Sequence, residues 1–342
     1  MHWHRLSRGP LTLVSTGAIL VGCISSQVPN ASPMPEVTET ATAEPAAAPT
    51  TPAPLHPRGR IVTHPADERT GFDWLSYVPR SLSSGDTVYI AIHGFQCCHT
   101  QAEEVKYNSD AVLSLLSHAE QGRVVLLSPA IPGRVTSDPN VEERVFHFPH
   151  DVFTSQPDFP FNRLDLKVGA MIDELADMLS KDGYSVHPKV FVFGFSIGGM
   201  FTMRYSALSP ERVQAFASGA PCGAFTIPVS EIEGVGLNWP LGVGDFESLV
   251  GEPFQADLYK SIPQFYFWGG EDNVYNNLAE NPDWSHWRNY WGRDTVAESR
   301  KQCSFLQSLG MEVECKEYPG ASHLFTVQMQ RDVFAFFDAH RD

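Results

Sequence analysis

From residue 72 onward, short dense apolar runs alternate with longer stretches in which apolar residues are spaced. Phe72 to Pro79 alternates apolar and polar positions like an edge strand halted by proline. Thr87 to His93, Arg123 to Ser128, Lys189 to Phe195, Val213 to Ser218 and Gln264 to Trp268 read as strands, the Lys189 run as one buried on both faces. Val313 to Tyr318 is the last predicted strand. Between them, Ala111 to Ala119, Thr295 to Leu309 and Phe325 to Ala339 are predicted helices, and a further helix begins near Met200 and is bounded by Pro210. Leu164 to Ser180 carries Leu164, Val168, Met171, Ile172, Leu175 and Leu179 on one helical face and stops near Gly183. Strands that alternate with helices of this length imply βαβ crossovers. The expected fold class is α/β, a mostly parallel sheet flanked by helices.

The first fifty-odd residues follow neither pattern. Arg5 and Arg8 precede an apolar stretch, Leu11 to Val21, that is too short to span a bilayer stably. Its end, Leu20-Val21-Gly22-Cys23, resembles a bacterial lipobox. That resemblance implies a signal peptide over 1–22 and lipidation of Cys23. It implies a membrane partner through the acyl chains, which together suffice for stable anchoring. The expected location is the bacterial cell envelope: outer membrane, cell surface or periplasm. Residues 23–57 are rich in Pro, Ala, Thr and Glu with few large apolar groups. Such a segment cannot bury enough surface to offset its ordering entropy and reads as a tether. The predicted domain is 58–342.

The formal net charge is −16, which argues against a nucleic-acid partner and against direct binding to anionic lipid heads. The domain has five cysteines: Cys97, Cys98, Cys222, Cys303 and Cys315. In an exported protein, pairing is expected. Cys303 on a helix and Cys315 on the next strand are one candidate pair; Cys98 or Cys97 with Cys222 is another. No His or Cys cluster has a zinc spacing, so no metal and no cofactor is expected. Two long connections, residues 219–262 and 273–290, hold Trp239, Phe246, Phe254, Tyr275, Trp284 and Trp287. Connections this long are usually lids or binding loops, and Trp239, Phe246 and Phe254 are candidates either for a pocket lining or for buried packing.

The chemistry centres on Gly194-Phe195-Ser196-Ile197-Gly198, set between a predicted strand and a predicted helix. A turn this sharp needs flanking residues without Cβ, and it leaves the serine at the tip with a helix N-terminus behind it. This resembles the nucleophile elbow of the α/β-hydrolases, in their esterase and polyester-depolymerase branch. The resemblance implies an acid and then a histidine, each after a later strand. Phe267-Trp268-Gly269-Gly270-Glu271-Asp272 is similar to the post-strand acid turn, with Asp272 as the acid and Glu271 as competitor. Tyr318-Pro319-Gly320-Ala321-Ser322-His323 is similar to the histidine loop, making His323 the base; His286, His147 and His150 are alternates. Ile92-His93-Gly94-Phe95 resembles the loop whose amide, with that of Ile197, cradles an oxyanion. Phe95 is the expected donor, or Gln96 in a longer turn, and His93 is expected to fix the loop through a hydrogen bond.

These residues imply a serine hydrolase of carboxylic esters, acting on a small-molecule or polymeric ester. The same groups serve an amidase, a peptidase or an acyltransferase, and a fold alone also suits a non-catalytic binding lipoprotein.

Overall fold

Every run predicted above as a strand lies in one sheet. The structure is a computed structural model and describes residues 56–96, 100–133, 145–154, 156, 158–221, 224–274 and 284–342. The chain divides into Met1–Thr51 and Pro52–Asp342, and all described residues belong to the second unit. The signal peptide, Cys23 and nearly all of the tether therefore lie outside the described residues, as do Cys97, Cys98, Cys222 and Tyr275.

The first elements are β1 (Ile61–His64), β2 (Trp74–Tyr77), β3 (Thr87–Gly94), α1 (Gln101–Gly122), β4 (Val124–Pro129) and α2 (Asp151–Thr154). Then come α3 (Leu164–Lys181), β5 (Ser185–Val186), β6 (Val190–Phe195), α4 (Ile197–Leu208) and β7 (Val213–Gly219). A hairpin, β8 (Glu231–Ile232) and β9 (Val235–Gly236), precedes α5 (Phe246–Val250) and α6 (Ala256–Ser261). The chain closes with β10 (Gln264–Gly269), α7 (Trp284–Trp291), α8 (Thr295–Ser308), β11 (Val313–Tyr318) and α9 (Val327–Ala339). The sheet runs β1-β2-β4-β3-β6-β7-β10-β11, with β5 beside β3. β2 pairs antiparallel with both β1 and β4; the other described pairings of this sheet are parallel.

Alternation across β6 shows why both faces are covered. Val190 and Val192 pack on one face with Ile90, Ile92, α3 and α4. Phe191 and Phe193 pack on the other with Ala91, Val112 and Leu115 of α1 and Val333 and Phe337 of α9. Each of these fully buried phenylalanines is worth about 1.5–3 kcal/mol of burial.

Departures from expectation at the sheet edge and at α1 have local causes. The edge strand is β1, not β2, which is fully buried between β1 and β4. β1 has only four residues, too few to show a period. Helix α1 starts ten residues before Ala111, where Thr100 caps it by accepting from the Glu103 amide at 3.3 Å. Within the described residues, His56 is already buried, and its ring is hydrogen-bonded to Ser76. Among the described aromatics of the long connections, Trp239, Phe246 and Trp287 are core, and Phe254 is half-buried against it. The Trp239 indole N–H donates to the Phe148 carbonyl at 2.7 Å, its ring meets Phe246 at 5.4 Å, and Phe246 meets Phe254 at 5.2 Å. Trp287 is likewise buried, against Trp291. An insertion of this length must bury large apolar rings, and doing so against one another hides them from any ligand.

Cys303 and Cys315 are bonded, with Cα atoms 6.5 Å apart, so α8 is tied to β11.

Candidate active site

Parallel pairing brings the candidate residues together. Register pairs Gly94 with Gly194, Phe195 with Gly219, Phe267 with Gly219, and Gly269 with Tyr318. The loops after β3, β6, β10 and β11 therefore leave the sheet side by side at its carboxyl edge. Open α/β sheets bind ligands at this edge.

Ser196 stands between β6 and α4 with φ 59° and ψ −119°, a strained conformation for a residue with a side chain. Its amide donates to the Gly219 carbonyl at 2.8 Å, which holds the turn against β7. Two residues on, a Cβ on Gly198 would lie 1.9 Å from the Gly94 carbonyl oxygen, so only glycine lets α4 approach β3 this closely. The same Cβ position is 3.6 Å from the Phe95 nitrogen. The Phe95 amide thus lies beside the start of α4, and no hydrogen bond of it to protein occurs among the described residues. Ile197 is the first residue of α4, where amides lack helical acceptors.

Asp272 is buried, at 4% exposure, whereas Glu271 is exposed. Asp272 Oδ1 accepts from the Val274 amide at 3.0 Å, and Oδ2 accepts from His323 Nδ1 at 2.7 Å. The acid turn and histidine loop are laced together. The Gly270 amide donates to Tyr318 and the Glu271 amide to Ala321, at 2.8 and 2.9 Å. A Cβ on Gly269 would lie 2.3 Å from the Ala321 oxygen, so the spacing of the two loops depends on that glycine. The His323 ring rests 4.9 Å from the Phe195 ring.

The alternates go elsewhere. His150 binds the Trp239 carbonyl at 2.9 Å and Asp245 at 3.2 Å. His147 is buried in a short turn of 3-10 helix, and His286 lies on α7. The Gln96 amide group donates to the Ile131 carbonyl at 2.8 Å, which anchors the loop after β3.

Ser196, Ile197, His323 and Phe95 line one cleft of about 480 Å³. Its other walls come from α1 (Tyr107, Ala111, Ser114, Leu115), from α9 (Gln330), and from Leu324 and Phe325. No Lys, Arg, Asp or Glu occurs among the described lining residues. Among the described residues, the expected hydrogen bond of the His93 ring is absent. Its ring is buried, its Nδ1 is without a partner, and it lies tilted against Phe193 at 4.9 Å and stacked on Phe95 at 5.9 Å. Burial lowers the His93 pKa to about 4, so the ring is neutral at physiological pH. Among the described residues, no group of three or more His, Cys, Asp or Glu side chains is placed to hold a metal ion.

No protein-family model matches this chain, and no curated protein matches it. Solved structures do. Poly(aspartic acid) hydrolase-1 from Sphingomonas sp. KT-1 superposes with TM-score 0.57 at 17% identity, over 82% of this chain and 98% of that one. LpqC, a poly(3-hydroxybutyrate) depolymerase from Bordetella parapertussis, superposes with TM-score 0.55 at 17% identity, over 83% and 91%. At this identity the likeness speaks for the fold, which is that of the α/β-hydrolases.

Proposed function

We propose that this chain is a serine hydrolase of neutral carboxylic esters. The observation that carries the reading is the 2.7 Å bond to buried Asp272 made by His323, which lines the same cleft as Ser196. A serine hydroxyl needs a base, and the base needs an orienting carboxylate. In the proposed reaction Ser196 Oγ attacks the acyl carbon while His323 Nε2 accepts its proton. Asp272 keeps the Nδ1 hydrogen in place and stabilises the imidazolium. The amides of Phe95 and Ile197 receive the oxyanion. His323 returns the proton to the departing alcohol, leaving an acyl-Ser196. Water, deprotonated by His323, then attacks that ester, and His323 returns the proton to the departing Ser196 Oγ as the acid leaves. One such amide typically supplies about 2.7–4 kcal/mol.

The lining supports a neutral ester, because it is largely apolar and its described residues include no charged carboxylate or cation. Of the two structural neighbours, the poly(3-hydroxybutyrate) depolymerase makes a polymeric ester a natural candidate beside a small one. Export and anchoring through Cys23 belong to the same proposal and rest on the Leu20-Val21-Gly22-Cys23 pattern and the Pro- and Ala-rich segment after it.

The test is Ser196→Ala. Turnover of p-nitrophenyl acetate and butyrate should vanish, and so should labelling by a fluorophosphonate. Labelling at the wild-type level in the variant would overturn the assignment. An amine or alcohol acceptor added to the wild-type reaction separates hydrolysis from acyl transfer by its products. For the anchor, radiolabelled palmitate should enter the wild-type chain and not Cys23→Ala; equal incorporation would refute lipidation there.

A further inference from the structure

The oxyanion amide assigned to Phe95 sits on a residue that has just left the sheet, since β3 ends at Gly94. Its ring is nevertheless tightly placed. Phe95 lies face to face with Tyr107 of α1, with centroids 5.2 Å apart and planes 6° apart. On its other neighbour, His93, it stacks at 5.9 Å and 9°. Three nearly parallel rings, His93, Phe95 and Tyr107, therefore run from the buried end of β3 to the surface of α1. Offset stacks at these separations are favourable beyond the area they bury.

The two outer rings differ in kind. His93 is fixed by burial against Phe193. Tyr107 is half exposed, and its hydroxyl makes no hydrogen bond among the described residues. Nothing polar explains its place; its contribution is the ring face. Helix α1 is anchored separately, through Val112, Leu115 and Ala119 in the core, so Tyr107 is presented on a rigid element. One residue further, Gln96 is tied to Ile131. Phe95 is then the link between a strand end and an anchored glutamine.

We propose that Tyr107 is a positioning residue: by stacking on Phe95 it holds the Phe95 amide in the orientation that receives the oxyanion. This rests on the reading of Ser196 as nucleophile and of the Phe95 amide as donor. Removing the ring frees Phe95 to leave the productive orientation. A stacked aromatic pair biases that equilibrium by about 2- to 13-fold. The expected loss in kcat is therefore of that size, short of the roughly 10²–10³ that loss of a whole donor costs.

The experiment compares Tyr107→Ala, Tyr107→Phe and wild type on p-nitrophenyl butyrate, with phenylboronic acid as a tetrahedral mimic and butyrate as a ground-state ligand. Tyr107→Ala should lower kcat about 2- to 13-fold with KM changed less than twofold. Inhibition by phenylboronic acid should weaken by the same factor, and by butyrate not at all. Tyr107→Phe should restore kcat, because only the ring face is used. In a Phe95→Ala background, Tyr107→Ala should have no further effect, since the partner of the stack is gone. A raised KM with unchanged kcat would make Tyr107 a wall of the cleft and overturn the proposal, as would an unchanged kcat or failure of Tyr107→Phe to rescue. Loss of the underlying reading is separately visible: Ser196→Ala would then keep its turnover in the same assay.

Discussion

Asp272→Asn tests the proposed chemistry with the smallest change, one oxygen exchanged for NH2. The outcome follows from the two bonds that the carboxylate makes. Oδ1 accepts from the Val274 amide at 3.0 Å and Oδ2 accepts from His323 Nδ1 at 2.7 Å. The Val274 N–H is a main-chain donor and stays where it is. The amide oxygen of asparagine must therefore remain on that side, because a buried donor facing another donor costs about 1–3 kcal/mol. The NH2 group then points at His323 Nδ1. A donor there obliges Nδ1 to accept, which moves the ring hydrogen to Nε2. An Nε2 that already carries hydrogen cannot take the Ser196 proton. Loss of the correct tautomer in this kind of triad costs about 10⁴ in kcat, equivalent to roughly 5.4 kcal/mol. Volume and hydrogen-bond count hardly change, so the melting temperature should stay close to that of wild type. The assay is kcat on p-nitrophenyl butyrate between pH 7 and 9, beside a thermal melt, with Glu271→Gln as a control that changes kcat less than twofold. A folded Asp272→Asn protein that keeps more than a tenth of wild-type kcat would refute the reasoning.

Other consequences are equally open to measurement. Gly198→Ala places a Cβ 1.9 Å from the Gly94 oxygen, with main chain on both sides, so α4 and β3 must separate. A stability loss of about 1–3 kcal/mol and a lower kcat are expected, and an unchanged urea midpoint would contradict the close approach. The Cys303–Cys315 bond closes a loop with sequence separation 12, which corresponds to about 3 kcal/mol in the chain-entropy account. Cys303→Ala/Cys315→Ala should unfold at correspondingly lower urea, and an identical midpoint would remove the bond from the stabilising set. His93 makes stability depend on pH. Its folded pKa, about 4, lies below the ordinary 6.5, so between these values the unfolded chain binds a proton that the folded one does not. Its contribution is complete above about pH 6.5 and declines by about 3 kcal/mol as pH falls to about 4. The melting temperature of His93→Phe should fall less steeply from pH 7 to pH 4.5 than that of wild type; parallel curves would show that His93 does not titrate this way.

How much of this was written in the chain is clearest at particular residues. The β6 run, the Gly194–Gly198 turn and the following helix were legible because each depends on neighbours in sequence: β propensity, absent Cβ atoms and a helix start. The same holds for α3 and α9, whose apolar faces repeat at helical spacing. The first ten residues of α1 were missed because their polar surface hides the period, although Thr100 and Glu103 spell an N-terminal cap. β1 was missed because four residues carry no period, and β2 was read as an edge because nothing local says which strand pairs beyond it.

What the sequence by itself determined is the parts and their order: a serine at a strained turn, a carboxylate after one strand, a histidine after the next. Only tertiary structure decided which of two adjacent carboxylates is buried against His323, that Trp239 and Trp287 fill core instead of a cleft, and that a tyrosine on α1 faces Phe95. The physical reason is range. Turn chemistry and helix periodicity act over a few residues, whereas burial and ring contacts depend on which distant segments the sheet register sets side by side.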